Sequence, residues 1–269
     1  MKNDFIIQKP FNDHLQSLVD YYFYIDIPIT ELSMEEEYVI PFPRITFGYF
    51  FEHPFSVTNH STEETIKAEM IISRISTNQI SVKPMTERIK IIGAHVRPYT
   101  LAYLTNVNIC EMPWLIRTEN LFGKKALNFK NRINTFSNPK KMFVEIENIF
   151  LKTILVKDLN VITEAINIIE SKKGSISIST ISDKIGISSR TLRNHFYKSV
   201  GCSPKEYIHL VKLKQAIFQM KHSTDSLTSV SYTQNYADQA HFTNTFKNIT
   251  GVSPKNIRGN MSDFRFLQF

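Results

Sequence analysis

The hydrophobic pattern of this 269-residue chain changes along its length. In the first hundred residues, prolines separate runs rich in aromatic and β-branched side chains, which is typical of short strands in a sandwich or barrel. A short helix is predicted ahead of them over residues 11–21, because Leu15, Leu18 and Val19 share one helical face. The strands are predicted over residues 21–27, 44–51, 70–75 and 89–96.

From about residue 100 the apolar positions recur at helical spacing, which predicts helices over residues 100–107 and 120–134 and a clearer one from Pro139. Its apolar stripe runs from Met142 to Ile154. We interpret the stripe as core, with pairing against a second subunit as the alternative. The polar residues 157–160 mark a predicted domain boundary. Further helices are predicted over residues 161–171, 181–185, 189–200 and 205–221, from residue 226 or 228, and from residue 239.

These elements predict an α+β protein. Residues 1–157 are expected to form a β-rich, barrel-like domain with flanking helices, and the family resemblance described below implies that it is cupin-like and serves in effector sensing or dimerisation. Residues 158–269 are expected to form an all-α domain with two helix-turn-helix units joined by a long helix. This second domain is the candidate for DNA binding.

The all-α part contains one short pattern twice, 50 residues apart. Asn194 and Phe196 of the first copy match Asn244 and Phe246 of the second, and a Gly-x-Ser-Pro-Lys sequence follows each copy, at residues 201–205 and 251–255. A short helix and a tight turn precede each copy. This order is that of a helix-turn-helix, in which the second helix enters the major groove of DNA.

Start and stop signals support both units. Thr180 and Asp183, three residues apart, have the spacing of a capping box and are predicted to open the helix over residues 181–185. Ser188 and Asp238 are predicted to cap the two recognition helices, over residues 189–200 and 239–249. Gly186 supplies the turn of the first unit, and Asn235, which also tolerates a left-handed conformation, stands at that place in the second. Ser203-Pro204-Lys205-Glu206 is a capping box that opens the long joining helix.

Each recognition helix has an apolar side and a polar side. Leu192 and Phe196, like Phe242 and Phe246, lie four residues apart and are predicted to be buried. The opposite side carries residue types that contact base edges and phosphates. The predicted DNA-binding residues are Ser189, Arg190, Arg193, Asn194, Gln239, Ala240, Thr243, Asn244 and Lys247.

Charge strengthens this interpretation. Residues 160–269 contain 14 Lys and Arg against 7 Asp and Glu, whereas residues 1–159 contain 18 of each. The whole formal excess of +7 therefore lies with the repeat. A basic segment beside a neutral one is the electrostatic pattern of a nucleic-acid-binding module, with double-stranded DNA as the partner.

With these motifs in place, residues 161–259 resemble the AraC/XylS family of transcriptional regulators. The segments that carry the resemblance are residues 187–193, 201–204, 238–242, 246–247 and 251–254. Asn235-Tyr236 stands where the family usually has Gly-Phe, and Asn244 where it often has Arg. The resemblance implies two recognition helices in successive major-groove segments and activation of transcription through RNA polymerase.

The front half resembles the sensor regions of some members of the same family. The similarity lies in residues 15–24, 39–41, 92–98 and 120–123. It implies a β-rich domain that binds a small effector or forms a homodimer. Arg44, Tyr49 and Arg97 are the candidate contacts for an acidic effector.

Catalytic chemistry is not predicted. His14, His53, His60 and His95 are scattered without short-range ligand spacing, so neither a metal nor another cofactor is expected. Cys110 and Cys202 have no redox spacing, and no phosphate loop or nucleophile elbow is present. The remaining alternatives are a cupin-like enzyme with a DNA-binding appendage and a scaffold whose helical domain binds protein.

The chain begins without the apolar segment of a signal peptide, and no apolar run approaches the ~20 residues that span a bilayer. We therefore expect a cytoplasmic protein without membrane contact.

Overall fold

The computed structural model describes residues 5–31, 36–52 and 54–259, so that His53 lies outside the described residues. The N-terminal part is built from two antiparallel sheets. The six-stranded sheet has the order β1-β2-β9-β4-β7-β10, and the four-stranded sheet has the order β3-β8-β5-β6. The strands are β1 Phe5–Gln8, β2 Val19–Pro28, β3 Glu37–Val39, β4 Ile45–Phe50, β5 Phe55–Asn59, β6 Glu64–Ala68, β7 Met70–Ser73, β8 Ile80–Lys83, β9 Arg88–Val96 and β10 Leu115–Arg117.

The helices are α1 Asp13–Gln16, α2 Thr100–Leu104, α3 Glu119–Phe122, α4 Lys124–Ile133, α5 Pro139–Leu151, α6 Asn160–Ser171, α7 Ile178–Ile185, α8 Ser189–Ser199, α9 Pro204–His222, α10 Leu227–Thr233, α11 Gln239–Thr250 and α12 Pro254–Gly259. Two short helices, α1 and α2, lie among the strands, and every regular element after β10 in the described chain is a helix. The predicted fold class, a β-rich domain followed by two helix-turn-helix units on a long helix, is confirmed.

The centre of the large sheet depends on one glycine. Gly93 of β9 pairs with Gly48 of β4 and with Phe23 of β2. A methyl group on Gly93 would collide with the carbonyl oxygen of Phe47 and with the ring of Phe23. The absence of a side chain at Gly93 therefore lets the Phe23 ring pack across the middle of the sheet.

Three sequence predictions in the front half were wrong in detail. The leading helix is one turn, α1, and Val19 already pairs with Val96 in β2, because burial in the sheet outweighs the helical pattern. The helix predicted over residues 120–134 is divided into α3 and α4 at Gly123, whose φ is 54°. Six further strands, β1, β3, β5, β6, β8 and β10, carry no strong pattern in the sequence.

The helical signals of the C-terminal part are almost all confirmed. The N-caps Ser188, Ser226 and Asp238 accept backbone hydrogen bonds as expected, and Ser203 forms the complete capping box with Glu206. One cap was misassigned: α7 begins after Ser177, whose hydroxyl accepts from the amide of Thr180, so Thr180 is inside the helix.

The hydrophobic core crosses the predicted domain boundary. A single cluster joins the helix-covered face of the large sheet, the α5 stripe (including Phe143 and Ile146) and the first helix-turn-helix unit through Leu192 and Phe196. The second unit has its own smaller cluster around Phe242 and Phe246. The stripe of α5 is thus core, and a boundary near residue 157 remains a prediction.

Candidate DNA interface and inner cavity

The first helix-turn-helix unit consists of α7, a turn at Gly186 and the recognition helix α8. Gly186 has φ 77°, the left-handed value that its position was predicted to need. Ser188 accepts a hydrogen bond from the amide of Thr191 at 3.0 Å and so starts α8. Leu192 and Phe196 are fully buried under the helix. Burial of this one side fixes which residues of α8 face outward.

The second unit repeats the arrangement with α10 and α11. Asn235 has φ 55° in the turn, and Asp238 accepts from the amide of His241 at 2.6 Å. Phe242 and Phe246 are buried with their rings 5.5 Å apart, edge to face. The two recognition helices therefore start with the same capping hydrogen bond, to the amide three residues on, and bury the same positions.

The long helix α9 joins the two units through their cores. Tyr207 near its start lies against Phe196 of the first unit, with ring centroids 5.9 Å apart. Leu213, Ala216 and Ile217 farther along belong to the cluster of the second unit. One continuous helix thus carries both recognition helices.

The predicted DNA-binding residues lie on the outward sides of α8 and α11. Ser189 and Gln239, which are equivalent in the repeat, also bond back to the first helix of their units, at 3.1 Å to Ser182 and 2.5 Å to Thr228. Each of these two side chains therefore already has one hydrogen-bond partner within the protein. All nine assignments as DNA-binding residues remain predictions. Exposed are Arg190, Arg193, Asn194, Gln239, Ala240, Asn244 and Lys247, and half-buried are Ser189 and Thr243.

A cavity of about 150 Å³ lies between the two sheets of the N-terminal part. Its walls are mainly apolar, with Phe23, Phe50 and Ile91 on the large sheet and Val57 on the small one. Residues 39–44, which we call the strap, close one side. The polar residues in its wall include two arginines, Arg44 and Arg74, and the histidine His95.

Arg44 belongs to a buried ion network that we call the Arg44 cluster: Asp20, Arg44, Arg97, Glu170 and Tyr207. Its guanidinium donates through Nε to the Asp20 carboxylate and through Nη1 to Glu170 Oε1 at 2.5 Å. Arg97 Nη1 donates to Glu170 Oε2 at 2.9 Å, and the Tyr207 hydroxyl donates to Glu170 Oε1 at 2.6 Å. Glu170 lies on α6 and Tyr207 on α9, so the cluster joins the β-rich part to the two helices that flank the first helix-turn-helix unit in the chain.

The cluster perturbs the ionisation of its members. Burial alone would raise the pKa of Glu170, but the charges of Arg44 and Arg97 and hydrogen bonds from Arg44 and Tyr207 hold it below its ordinary value. Burial would likewise raise the pKa of Asp20, but the charges of Arg44 and Arg97 lower it below its ordinary value. Burial raises the pKa of Tyr207 well above its usual range, so it stays a hydrogen-bond donor. Both carboxylates are charged at neutral pH and hold the buried Arg44.

Arg74 is the second cation of the cavity wall. Its Nη1 donates to the carbonyl oxygens of Ile109 and Cys110 at 3.2 and 2.8 Å. Its buried Nε has no hydrogen-bond partner among the residues that the structure describes. A methyl group on Gly201, just beyond α8, would lie 2.9 Å from Arg74 Cδ. Both cavity arginines therefore lie against the helical C-terminal part, Arg44 at α6 and α9 and Arg74 at the end of α8.

The structure separates the three predicted effector residues. Arg44 and Arg97 come together around Glu170, and Arg44 also lines the cavity. Tyr49 lies on the opposite face of β4, where its hydroxyl accepts from Asn134 Nδ2 at 2.9 Å and its ring packs on Phe129. Tyr49 consequently has no place in the cavity wall.

Sequence reasoning missed Arg74, His95, Glu170 and Tyr207 as members of this region. His95 packs against the rings of Phe23 and Phe42 at about 5 Å and lies 3.3 Å from the Thr46 hydroxyl. No local signal marks these residues, because Glu170 is 126 positions from Arg44 in the chain and looks like any polar position of an amphipathic helix.

In the described ranges, no group of three or more His, Cys, Asp or Glu side chains is placed to hold a metal ion. No helix in the same ranges is both long and apolar enough to cross a bilayer. Cys110 is exposed and Cys202 is buried, and both are free thiols.

Comparisons with known proteins agree with the geometry. Residues 181–260 match the model of a family described as "Helix-turn-helix domain". The HTH-type transcriptional activator RhaS of Escherichia fergusonii is 32% identical over 84 residues, which are 31% of this chain and 30% of that protein. RhaS of Mannheimia succiniciproducens is 21% identical over 184 residues, covering 66% of this chain and 60% of that protein.

The alignment with the first of these relatives thus spans less than a third of its length. Among solved structures, ToxT from Vibrio cholerae superposes with a TM-score of 0.55 at 12% identity, covering 88% of this chain and 98% of that one. A second ToxT structure, bound to (E)-4-(8-methylnaphthalen-1-yl)but-3-enoic acid, has a TM-score of 0.53 at 12% identity and the same coverage. This likeness extends the shared fold to the β-rich part.

The fold and the duplicated helices define a two-domain protein with a double helix-turn-helix. Its C-terminal part is similar to the helix-turn-helix domain of the RhaS activators, and the chain as a whole has the fold of ToxT.

Proposed function

We propose that this protein is a sequence-specific DNA-binding regulator of transcription. Its recognition helices α8 and α11 insert into successive major-groove segments about one helical turn, ~34 Å, apart. Lys and Arg of the C-terminal part supply salt-dependent affinity through phosphate contacts, and the outward residues of the two helices supply base preference. Acting on the genome, the protein belongs in the cytoplasm.

One observation carries this proposal. Two recognition helices with matched caps and matched buried positions present polar and cationic residues outward, on the part of the chain that holds the whole charge excess of +7. If the outward sides of α8 and α11 only faced water, equivalent positions of the two helices would not need to carry polar and cationic residues in the same arrangement. Activation through contact with RNA polymerase is the proposed outcome, since the RhaS relatives are activators.

We also propose that the cavity binds a small apolar carboxylic acid. Its walls are apolar and both its arginines are held by the protein, which suits a ligand with a hydrophobic body and one acidic group. ToxT, which shares the fold, has been seen with a ligand of this chemistry. A cavity of about 150 Å³ matches, in order of magnitude, one that holds a benzene-sized molecule.

The test is selection of genomic DNA fragments by the purified full-length protein at two salt concentrations. We expect enrichment of a site with two short elements about one helical turn, ~34 Å, apart, and affinity that falls steeply with salt. The variant Arg190→Ala with Arg193→Ala should lose the enrichment. Lys140→Ala with Lys141→Ala is the matched control, because it removes the same charge from exposed positions of α5. Failure to retain DNA at either salt concentration refutes the proposal.

A further inference from the structure

The strap contacts both the cavity and the helical C-terminal part. Val39, Ile40 and Phe42 of the strap line the cavity. Ile40 is buried in the cluster that contains Phe242 and Phe246 of the second unit. Pro43 lends its carbonyl oxygen to Arg44 at 2.7 Å and to the Tyr207 hydroxyl at 3.5 Å. The strap thus forms a wall of the cavity while it packs on both units of the DNA-binding domain.

Arg44 needs an anion wherever it is buried. Its side chain is 9% exposed, and a guanidinium keeps its proton under all ordinary conditions. A buried charge without a partner is strongly unfavourable, so Arg44 stays close to carboxylates. In this structure they are Asp20 of its own domain and Glu170 of the DNA-binding domain.

The position of Glu170 is that of an internal ligand. Its two oxygens take hydrogen bonds from Arg44, Arg97 and Tyr207, which is the set of donors that a bound carboxylate would use. Arg44 and four other residues of the strap also line the cavity, so a carboxylate bound there would lie within reach of the same guanidinium.

We propose that an apolar carboxylate in the cavity competes with Glu170 for Arg44 and thereby loosens the strap from the DNA-binding domain. The proposal rests on the proposed function, because it explains how effector binding reaches the recognition helices. When the cavity is occupied, the Arg44 guanidinium pairs with the carboxylate of the ligand. Glu170 then keeps only its hydrogen bonds from Arg97 and Tyr207. The ligand and the domain contact are then coupled, and the coupling is reciprocal.

The test uses hexanoate as the probe, with hexan-1-ol as its uncharged counterpart, on the full-length protein in calorimetric titrations. Glu170→Gln keeps the shape and the hydrogen-bond acceptor but removes the competing charge. We expect it to bind hexanoate about tenfold more tightly than the natural protein. This is the gain expected if Glu170 occupies Arg44 in all but about a tenth of the natural molecules, because apparent affinity scales with the fraction that can bind. Hexan-1-ol should bind both proteins equally.

Glu164→Gln is the matched control, since Glu164 lies on the same helix and is exposed. It should bind hexanoate like the natural protein. Tyr207→Phe removes the hydroxyl that donates to Glu170 and Pro43 without a change in charge, and it should give a smaller increase in hexanoate affinity. It also tests the proposal should Glu170→Gln fail to fold.

Hydrogen exchange reports on the strap in the same samples. Hexanoate should raise the exchange of the four strap amides, those of Val39, Ile40, Phe42 and Arg44, in the natural protein. In Glu170→Gln this exchange should be high without ligand. Equal hexanoate affinity of the natural protein and Glu170→Gln, or no hexanoate binding by Glu170→Gln, overturns the proposal.

The DNA measurement is kept separate so that the two failures differ. If no DNA is retained but Glu170→Gln binds hexanoate more tightly, the proposed function fails and the competition stands. If DNA is retained and hexanoate affinity is unchanged by the substitution, the competition fails and the DNA-binding function stands. When both hold, hexanoate changes the DNA affinity of the natural protein and leaves that of Glu170→Gln unchanged.

Discussion

The second helix-turn-helix unit should unfold by itself when its core is damaged. Phe246 is 1% exposed and belongs to a cluster separate from the one that joins the β-rich part to the first unit. Replacing a fully buried phenylalanine by alanine costs about 3–5 kcal/mol. At roughly 0.05–0.15 kcal/mol per residue, the segment from Leu213 to Gly259 has about 2–7 kcal/mol of stability to lose. The two ranges overlap, so Phe246→Ala should leave this unit largely unfolded.

Hydrogen exchange of the full-length protein measures this directly. Protection of the amides in α10 and α11 should fall by about two orders of magnitude or more, since each 1.4 kcal/mol is roughly a factor of ten. Protection in β9 should stay as it is. Tyr232→Ala is the control, because Tyr232 belongs to the same unit but is 63% exposed. An equal loss of protection in β9 and α11 would show one cooperative core and refute the reasoning.

Three further predictions concern the interface, a helix cap and the ion network. Arg193→Ala should cost roughly 1–3 kcal/mol on the selected site and relax preference at one base in competition binding, whereas equal weakening on random DNA would make Arg193 a phosphate contact. Asp238→Ala removes the cap of α11 and should lower the free energy of unfolding of the second unit by about 0.5–2 kcal/mol in denaturant titrations, and an unchanged value would contradict the cap. The pKa values of Asp20 and Glu170 lie below their ordinary values of 3.8 and 4.5, so the stability they contribute is complete above those values and is lost as pH falls below them. The charges that face these two carboxylates are Arg44, Arg97 and Lys214. Between neutral pH and pH 3, the melting temperature should fall less in Glu170→Gln than in Glu164→Gln. Parallel curves of melting temperature against pH would contradict this linkage.

The helical half could be predicted because its signals are local. A cap such as Ser188 or Asp238 bonds to an amide three residues on, and Gly186 or Asn235 meets a requirement of its own backbone. The repeat then showed which side of each helix is buried. Misassignment of the α7 cap to Thr180 was an error of one turn, since Ser177, Ser179 and Thr180 are all competent caps in one short stretch.

The β-rich half was predicted less fully, since strands are stabilised by partners far away in the chain. Strand β2 was recognised from its aromatic run, but β6, with the sequence Glu-Thr-Ile-Lys-Ala, is a strand because β5 pairs with it. The path from Val19 to Tyr21 shows the same effect, since pairing with β9 outweighs a helical pattern.

The repeat, its caps and its apolar spacing thus predict the two helix-turn-helix units and the side of each recognition helix that is buried, because all of these signals are local in the sequence. Tertiary structure alone determines the cavity and the Arg44 cluster. Asp20 is 24 residues and Glu170 is 126 residues from Arg44 in the sequence, and the three meet only when the sheets and α6 pack together. Nothing in the chain near Arg44 marks its partner. The Arg44 guanidinium pairs with the carboxylates only after folding has removed water from these groups. Its partners are therefore determined by the packing of the folded protein.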